Sequence, residues 1–112
     1  MRIEELQQEI IDFRDERNWK QFHQIKDLLL GLNIEVSELS QLFLWKSSQE
    51  IDLIEKNKIE EELADIFIFL TYISKHFDIE LSKVVKEKIE LNNRKYPVSK
   101  SYNSNKKYNE LG

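Results

Sequence analysis

Four carboxylates stand in two matching pairs, Glu35 with Glu38 and Glu62 with Asp65. The first pair lies in an otherwise oily run, "LNIEVSELSQLFLWKSS" from Leu32 to Ser48, and the second in "EEELADIFIFL". Residues three apart are neighbours on a helix surface. Two such pairs brought face to face would crowd four negative charges, which raises their protonation unless cations are present. Hard divalent ions take oxygen ligands, and Mg²⁺ in particular takes a few carboxylates together with water and substrate phosphate. The chain also holds 21 acidic residues, so such pairs arise equally as the wet edge of an ordinary helix. Spacing alone leaves both readings open.

The elements that must position these residues are helices. Only two glycines and one proline occur in 112 residues, and apolar residues recur at helical spacing. A first helix is expected from about Arg2 to Glu16, with Ile3, Leu6, Ile10 and Phe13 on one face. A second runs from about Gln24 to Trp45, striped by Ile25, Leu28, Leu29, Leu32, Val36, Leu39 and Phe43. A third covers Gln49 to Phe77, striped by Ile59, Leu63, Ile66, Leu70, Ile73 and Phe77, with a break near Asn57. A fourth follows Asp78, read as an N-cap, and reaches about Asn93 with Leu81, Val84, Val85 and Ile89 inward. Pro97 ends it. Short connections between amphipathic helices imply an all-α, antiparallel, up-and-down four-helix bundle.

Each residue turns a helix by about 100°. Glu35 then lies roughly 80° and Glu38 roughly 140° to one side of the second helix's stripe. Glu62 and Asp65 lie roughly 60° and 120° off the third helix's stripe, in the same sense. Antiparallel packing of these two helices lets both pairs border one crevice. Glu61 points away from the stripe and reads as solvated.

Two aromatic stretches flank these helices. "RNWKQFH" gathers Trp19, Phe22 and His23 between the first two helices, and "LFLWK" puts Trp45 at the end of the second. Each tryptophan serves core or helix-end packing as readily as binding. Together with His23 they could form a slot for a planar base, which aromatic faces hold well. His23 reads as a polar residue at a pocket rim rather than a metal ligand, because no second histidine is near it in sequence.

Composition bounds the rest. Net charge is −4, which argues against nucleic acid as a partner. There is no cysteine, so disulfides and thiolate metal sites are excluded. The charged start "MRIEELQQEI" is unlike a signal peptide, and the apolar run Ile66–Ile73 is too short to span a bilayer. The expectation is a soluble, cytoplasmic, single domain over residues 1–112, without a membrane partner. The tail from Tyr96 onward, polar with interspersed tyrosines, reads by composition as a frayed end.

The chain resembles the MazG-like all-α nucleoside triphosphate pyrophosphohydrolases, and is most similar to their small dCTP pyrophosphatase branch. The E-x-x-E … E-x-x-D signature is present as Glu35, Glu38, Glu62 and Asp65, and "RNWKQFH", "LFLWK", "EEELADIFIFL" and "NNRKYPV…KKYNEL" follow in the expected order. The resemblance covers about Phe13 to Leu111. It implies a Mg²⁺-dependent cut between the α and β phosphates, with Mn²⁺ as an admissible substitute, giving a nucleoside monophosphate and pyrophosphate. Glu35, Glu38, Glu62 and Asp65 would be the metal ligands, with Glu38 or Glu35 also orienting or deprotonating the attacking water. Trp19 and Trp45 would flank the base, with Phe22 and His23 beside it. Asn92, Lys95 and Tyr96 match the family's N-x-x-[KR]-Y-P arrangement and would approach phosphates or sugar with Lys107 and Tyr108. On this reading residues 96–112 form a lid over the nucleotide rather than a frayed end.

Two departures stand out against the family. Relatives often carry glycine where this chain has Asn103, although asparagine also tolerates a left-handed backbone. Relatives often carry tyrosine where Phe69 stands, and losing that hydroxyl leaves strict dCTP preference an open matter. The family forms dimers and its dCTP branch tetramers. Independently, Phe67, Tyr72 and Phe77 broaden the third helix's apolar face beyond one stripe, which favours a homodimer or homotetramer. Two other functions remain in view: a relative acting on dUTP or phosphoribosyl-ATP, and a non-catalytic helical interaction module.

Overall fold

The structure, a computed structural model, describes residues 1–112. It is all-α. In order come α1 (Ile3–Glu16), a 3-10 turn (Trp19–Phe22), α2 (Ile25–Gln41), α3 (Ser48–Ile51), α4 (Lys56–His76), α5 (Leu81–Lys95), α6 (Val98–Ser101) and a final 3-10 turn (Tyr108–Glu110). No helix is long and apolar enough to cross a membrane. Two compact units divide the chain, Met1–Asp78 and Ile79–Gly112.

In the first unit, α4 packs against both α2 and α1. The α2–α4 pair is antiparallel, because partners run in opposite order: Leu28 joins Tyr72 in the core, Gly31 meets Phe69, and Glu35 meets Asp65 and Glu62. Gly31 makes the close approach possible, since a Cβ there would stand 2.4 Å from Phe69 Cε1. Ile11, Leu28 and Tyr72 are the buried apolar core, with Ile10, Ile68, Phe69 and Ile73 packed on it. One polar link joins α1 to α4, where Gln7 Nε2 donates to Thr71 Oγ1 at 3.3 Å; within α4 the buried Ser74 Oγ donates to the Thr71 carbonyl at 2.9 Å.

The buried faces differ from those the stripes predict. On α1 it is Ile11 and Arg14 that are buried, while Leu6 and Phe13 remain 40% and 46% exposed. On α2 the covered line is Ile25, Leu28, Leu32, Glu35 and Leu39, and Leu29 and Val36 stay exposed. On α4 Thr71, Tyr72 and Ser74 are buried, whereas Leu63, Leu70 and Phe77 are not. Glu35 and Glu62 therefore sit closer to the packed line than their angles from the apolar stripes suggest. The reason is that apolar residues line more than one face of these helices, so their average direction is not the direction of the single-chain core.

Helix ends follow local chemistry. α2 stops at Gln41 rather than Trp45, and 3-10-type turns carry the chain onward through Leu42 N–H to Leu39 O and Phe43 N–H to Ser40 O. The third predicted helix is split into α3 and α4. Ser47 starts α3 with a reciprocal cap: its Oγ accepts from Glu50 N–H and its own N–H donates to Glu50 Oε1, both at 3.2 Å. Asp78 is not the N-cap of α5, a place taken by Glu80; it is a left-handed residue, φ 54°, that terminates α4.

The second unit begins with α5. Pro97 ends that helix as expected and serves as N-cap of the short α6. Asn103 has φ 63°, the left-handed backbone that asparagine tolerates. The final turn folds back within this unit. Tyr96 and Tyr108 meet edge to face at 6.1 Å, and Lys95 Nζ lies 4.8 Å from the Tyr108 ring centroid.

Candidate active site

The antiparallel α2–α4 pair delivers the carboxylates. One ligand oxygen from each of Glu35, Glu62 and Asp65 falls within 4.8 Å of the others. Glu38 is the fourth member, through side-chain hydrogen bonding with both Glu35 and Glu62. The crowding has the effect expected of like charges. Burial, hydrogen bonding with Glu38, and the negative charges of Asp65 and Glu38 push Glu35 up to about 7. Burial also raises Glu62, followed by its hydrogen bond to Glu38, while a hydrogen bond from Glu35 pulls Glu62 the other way. Glu35 Oε2 and Glu62 Oε2 are both buried with no hydrogen-bond partner. Buried carboxylate oxygens normally find a donor or a cation. Two such orphans side by side, from an all-oxygen donor set, fit a hard divalent ion.

A groove of about 550 Å³ opens beside the cluster. Asp65 reaches it, and its remaining walls are largely apolar: Leu6, Ile10 and Phe13 of α1, Ile68, Phe69 and Tyr72 of α4, with Trp19, His23 and Glu9. Trp19 is held edge to face on Phe13 at 5.8 Å, and Arg17 stacks 3.6 Å above the Phe13 ring centroid. His23 leans on Tyr72 with centroids 4.5 Å apart. Burial and the nearby Arg14 guanidinium hold His23 below the usual imidazole range, so it is a neutral wall at physiological pH.

Among the residues singled out from sequence, Trp19 and His23 line this groove with Asp65. Phe22 does not, and is 64% exposed. Trp45 lies outside the groove too. It is 92% exposed and holds a left-handed backbone, φ 62°. The two tryptophans therefore do not enclose a common slot within one chain's groove. Lys95, Tyr96 and Tyr108 come together in the second unit, where Tyr96 N–H also donates to the Asn92 carbonyl at 2.7 Å, and Lys107 caps the final turn. Sequence reasoning missed Glu9, Ile10 and Phe13 as groove residues, having read the last two as core. It missed the buried Arg14 entirely, for a charged residue at one position of a charged helix carries no signal of its own.

A model of the MazG-like family matches residues 30–111. The dCTP pyrophosphatase 1 of Homo sapiens is 36% identical over 97% of this chain and 67% of its own length. The same-named protein of Bos taurus is 38% identical, over 97% of this chain and 68% of its own. A pyrophosphatase of Archaeoglobus fulgidus, known from its crystal structure, superposes with a TM-score of 0.77 at 39% identity, covering 85% of this chain and 92% of that one. The chain belongs to the MazG-like family. It is a hydrolase of that family, and the carboxylates on α2 and α4 lie in the matched region.

Proposed function

We propose that this MazG-like chain is a Mg²⁺-dependent nucleoside triphosphate pyrophosphohydrolase. It hydrolyses the bridge between the α and β phosphates to give a nucleoside monophosphate and pyrophosphate, with dCTP or a modified pyrimidine deoxynucleotide as substrate. The observation that supports this most is the pair of orphaned buried oxygens of Glu35 and Glu62, with Asp65 beside them at the mouth of an aromatic groove.

Glu35, Glu38, Glu62 and Asp65 would hold the ion. When bound, it supplies charge neutralisation at the phosphate oxygens and an acidified water. Trp19 and His23 hold the base against the groove wall while the carboxylates fix the phosphate end, so that geometry limits which bond is presented to water. Glu38 or Glu35 would orient the attacking water and accept its proton; no covalent nucleophile is required. Lys95, Tyr96, Lys107 and Tyr108, with Asn92, serve the phosphates or sugar from the second unit, and residues 96–112 act as the lid.

Oligomerisation belongs to the same reading. Leu29 and Val36 on α2 and Leu63, Leu70 and Phe77 on α4 leave apolar surface uncovered, which a homodimer or homotetramer would bury. Phe22 and Trp45, free in the single chain, then reach nucleotide only in an assembled site. We place the protein in the cytoplasm, where it would clear unwanted nucleotides from the pool.

The test is product identity. Purified protein is incubated with dCTP and Mg²⁺, and separately with dUTP, phosphoribosyl-ATP and other triphosphates, with EDTA and Glu35→Gln controls. Anion exchange should resolve dCMP and pyrophosphate only with metal and only for the unaltered chain. No cleavage of any nucleotide at any Mg²⁺ or Mn²⁺ level would leave a non-catalytic interaction module as the better reading.

A further inference from the structure

A second cavity, of about 390 Å³, shares a wall with the groove. His23 and Tyr72 line both. The groove side of that wall is apolar, whereas the far side carries Arg14, Lys20, Lys75 and His76. No aspartate or glutamate lines it. Such a concentration of one sign is unusual in a chain whose net charge is −4.

The cations are not all loose surface side chains. Arg14 is buried, its side chain only 7% exposed. Its Nε and Nη2 both contact the same Asp15 oxygen at 2.9 Å, so one carboxylate offsets part of its charge and takes one edge of the fork. On the shared wall, His23 Nδ1 is buried with no hydrogen-bond partner. Buried polar atoms without partners call for a donor, an acceptor or a ligand. Burial first, and the Arg14 charge second, hold His23 below its usual range. Lys75 and His76 offset the negative end of α4, but neither that role nor the Asp15 pair accounts for Lys20 and the orphaned imidazole.

We propose that this cavity is a second binding site, for a small oxyanion of the phosphate class, separate from the carboxylate cluster. Arg14 supplies a buried guanidinium, Lys20 and Lys75 supply mobile ammonium groups, and neutral His23 donates from the wall in its Nδ1–H tautomer. The volume equals that of about a dozen waters, enough for pyrophosphate with some hydration. Because His23 and Tyr72 also face the groove, filling the cavity reorients the wall against which the groove's ligand rests. The two sites are then linked, and the linkage is reciprocal.

The experiment needs no turnover, so its failure leaves the proposed hydrolysis standing, and the reverse. Metal-free protein in EDTA is titrated with inorganic pyrophosphate, with inorganic phosphate, and with chloride at matched ionic strength, while the histidine ring signals are followed by NMR. Saturable shifts of His23 and His76 are expected with the phosphates and not with chloride. Glu35→Gln should bind as the unaltered chain does. A Lys20→Gln/Lys75→Gln double variant, altered only at exposed positions and checked for an unchanged melting curve, should bind at least tenfold more weakly. Absence of a saturable shift overturns the proposal, as does an equal response to chloride, or binding lost in Glu35→Gln but kept in the lysine variant. Arg14→Met would add a direct arm, but the two lysines suffice if removing Arg14 unfolds the protein.

Discussion

Phe69 fills the space that a side chain on Gly31 would need: an added Cβ would lie 2.4 Å from Phe69 Cε1 and 2.6 Å from Cζ. The same ring lines the groove. Helix spacing and groove shape are thus set at one contact. Gly31→Ala is expected to push the ring out of place, costing about 1–3 kcal/mol of stability and raising KM more than it lowers kcat. Phe69→Leu in the same chain should restore much of the stability. Chemical denaturation and steady-state kinetics on the single and double variants check this; an unchanged Gly31→Ala midpoint would mean that the ring gives way freely.

The metal-free protein should become less stable as pH rises from about 4.5 to about 7. Glu35 is held up to about 7 in the folded state from its ordinary 4.5, so across that window the folded chain binds more protons than the unfolded one. The sign is the reverse of that for a salt-bridged carboxylate. Glu62, also raised, acts in the same direction, while His23, lowered, favours folding as pH rises towards 6.5. Glu35→Gln should therefore flatten the decline. Thermal midpoints in EDTA across this range, for both chains, provide the comparison.

Divalent ion should reverse that loss. Saturating Mg²⁺ at pH 7.5 is expected to raise the melting midpoint, by the equivalent of about 2.7 kcal/mol at a hundredfold excess over its Kd. Glu62→Gln should respond much less, since it removes one of the two orphaned oxygens. Calorimetric melting with and without EDTA reads this directly.

Trp45 is a bulky residue in a left-handed conformation with almost no contacts to justify it. That conformation costs a non-glycine residue about 1–2 kcal/mol. Trp45→Gly is expected to leave the monomer's thermal midpoint equal or higher, yet to weaken nucleotide binding at least tenfold. A fall in stability with unchanged binding would instead make Trp45 a packing residue whose neighbour is another copy of the chain.

Much of this protein was legible before its structure. The rough placement of the four long helices followed from apolar spacing and the scarcity of glycine and proline, but the short α3 and α6 did not. The convergence of Glu35, Glu38, Glu62 and Asp65 followed from equal spacing on two helices that had only to pack antiparallel. Less legible were the helix ends. Apolar residues continue past Gln41, yet the backbone tightens there, and Asp78 closes one helix instead of opening the next. Asp and Asn favour both kinds of position, so residue type cannot separate them.

What the sequence alone determined is the chemistry available: two carboxylate pairs on helices, one aromatic set around helix ends and no thiolate ligands. Those properties are local, fixed by residue type and a 100° turn. Only the tertiary structure decided which faces are covered. It put Glu35 and Glu62 near the packed line, left Leu29, Leu63 and Phe77 outside, buried Arg14, and set Trp19 apart from Trp45. A helix with apolar residues on several faces has no single inward direction until its neighbours choose one. That choice depends on contacts such as Gly31 with Phe69, far apart in sequence, and no periodicity within either helix records it.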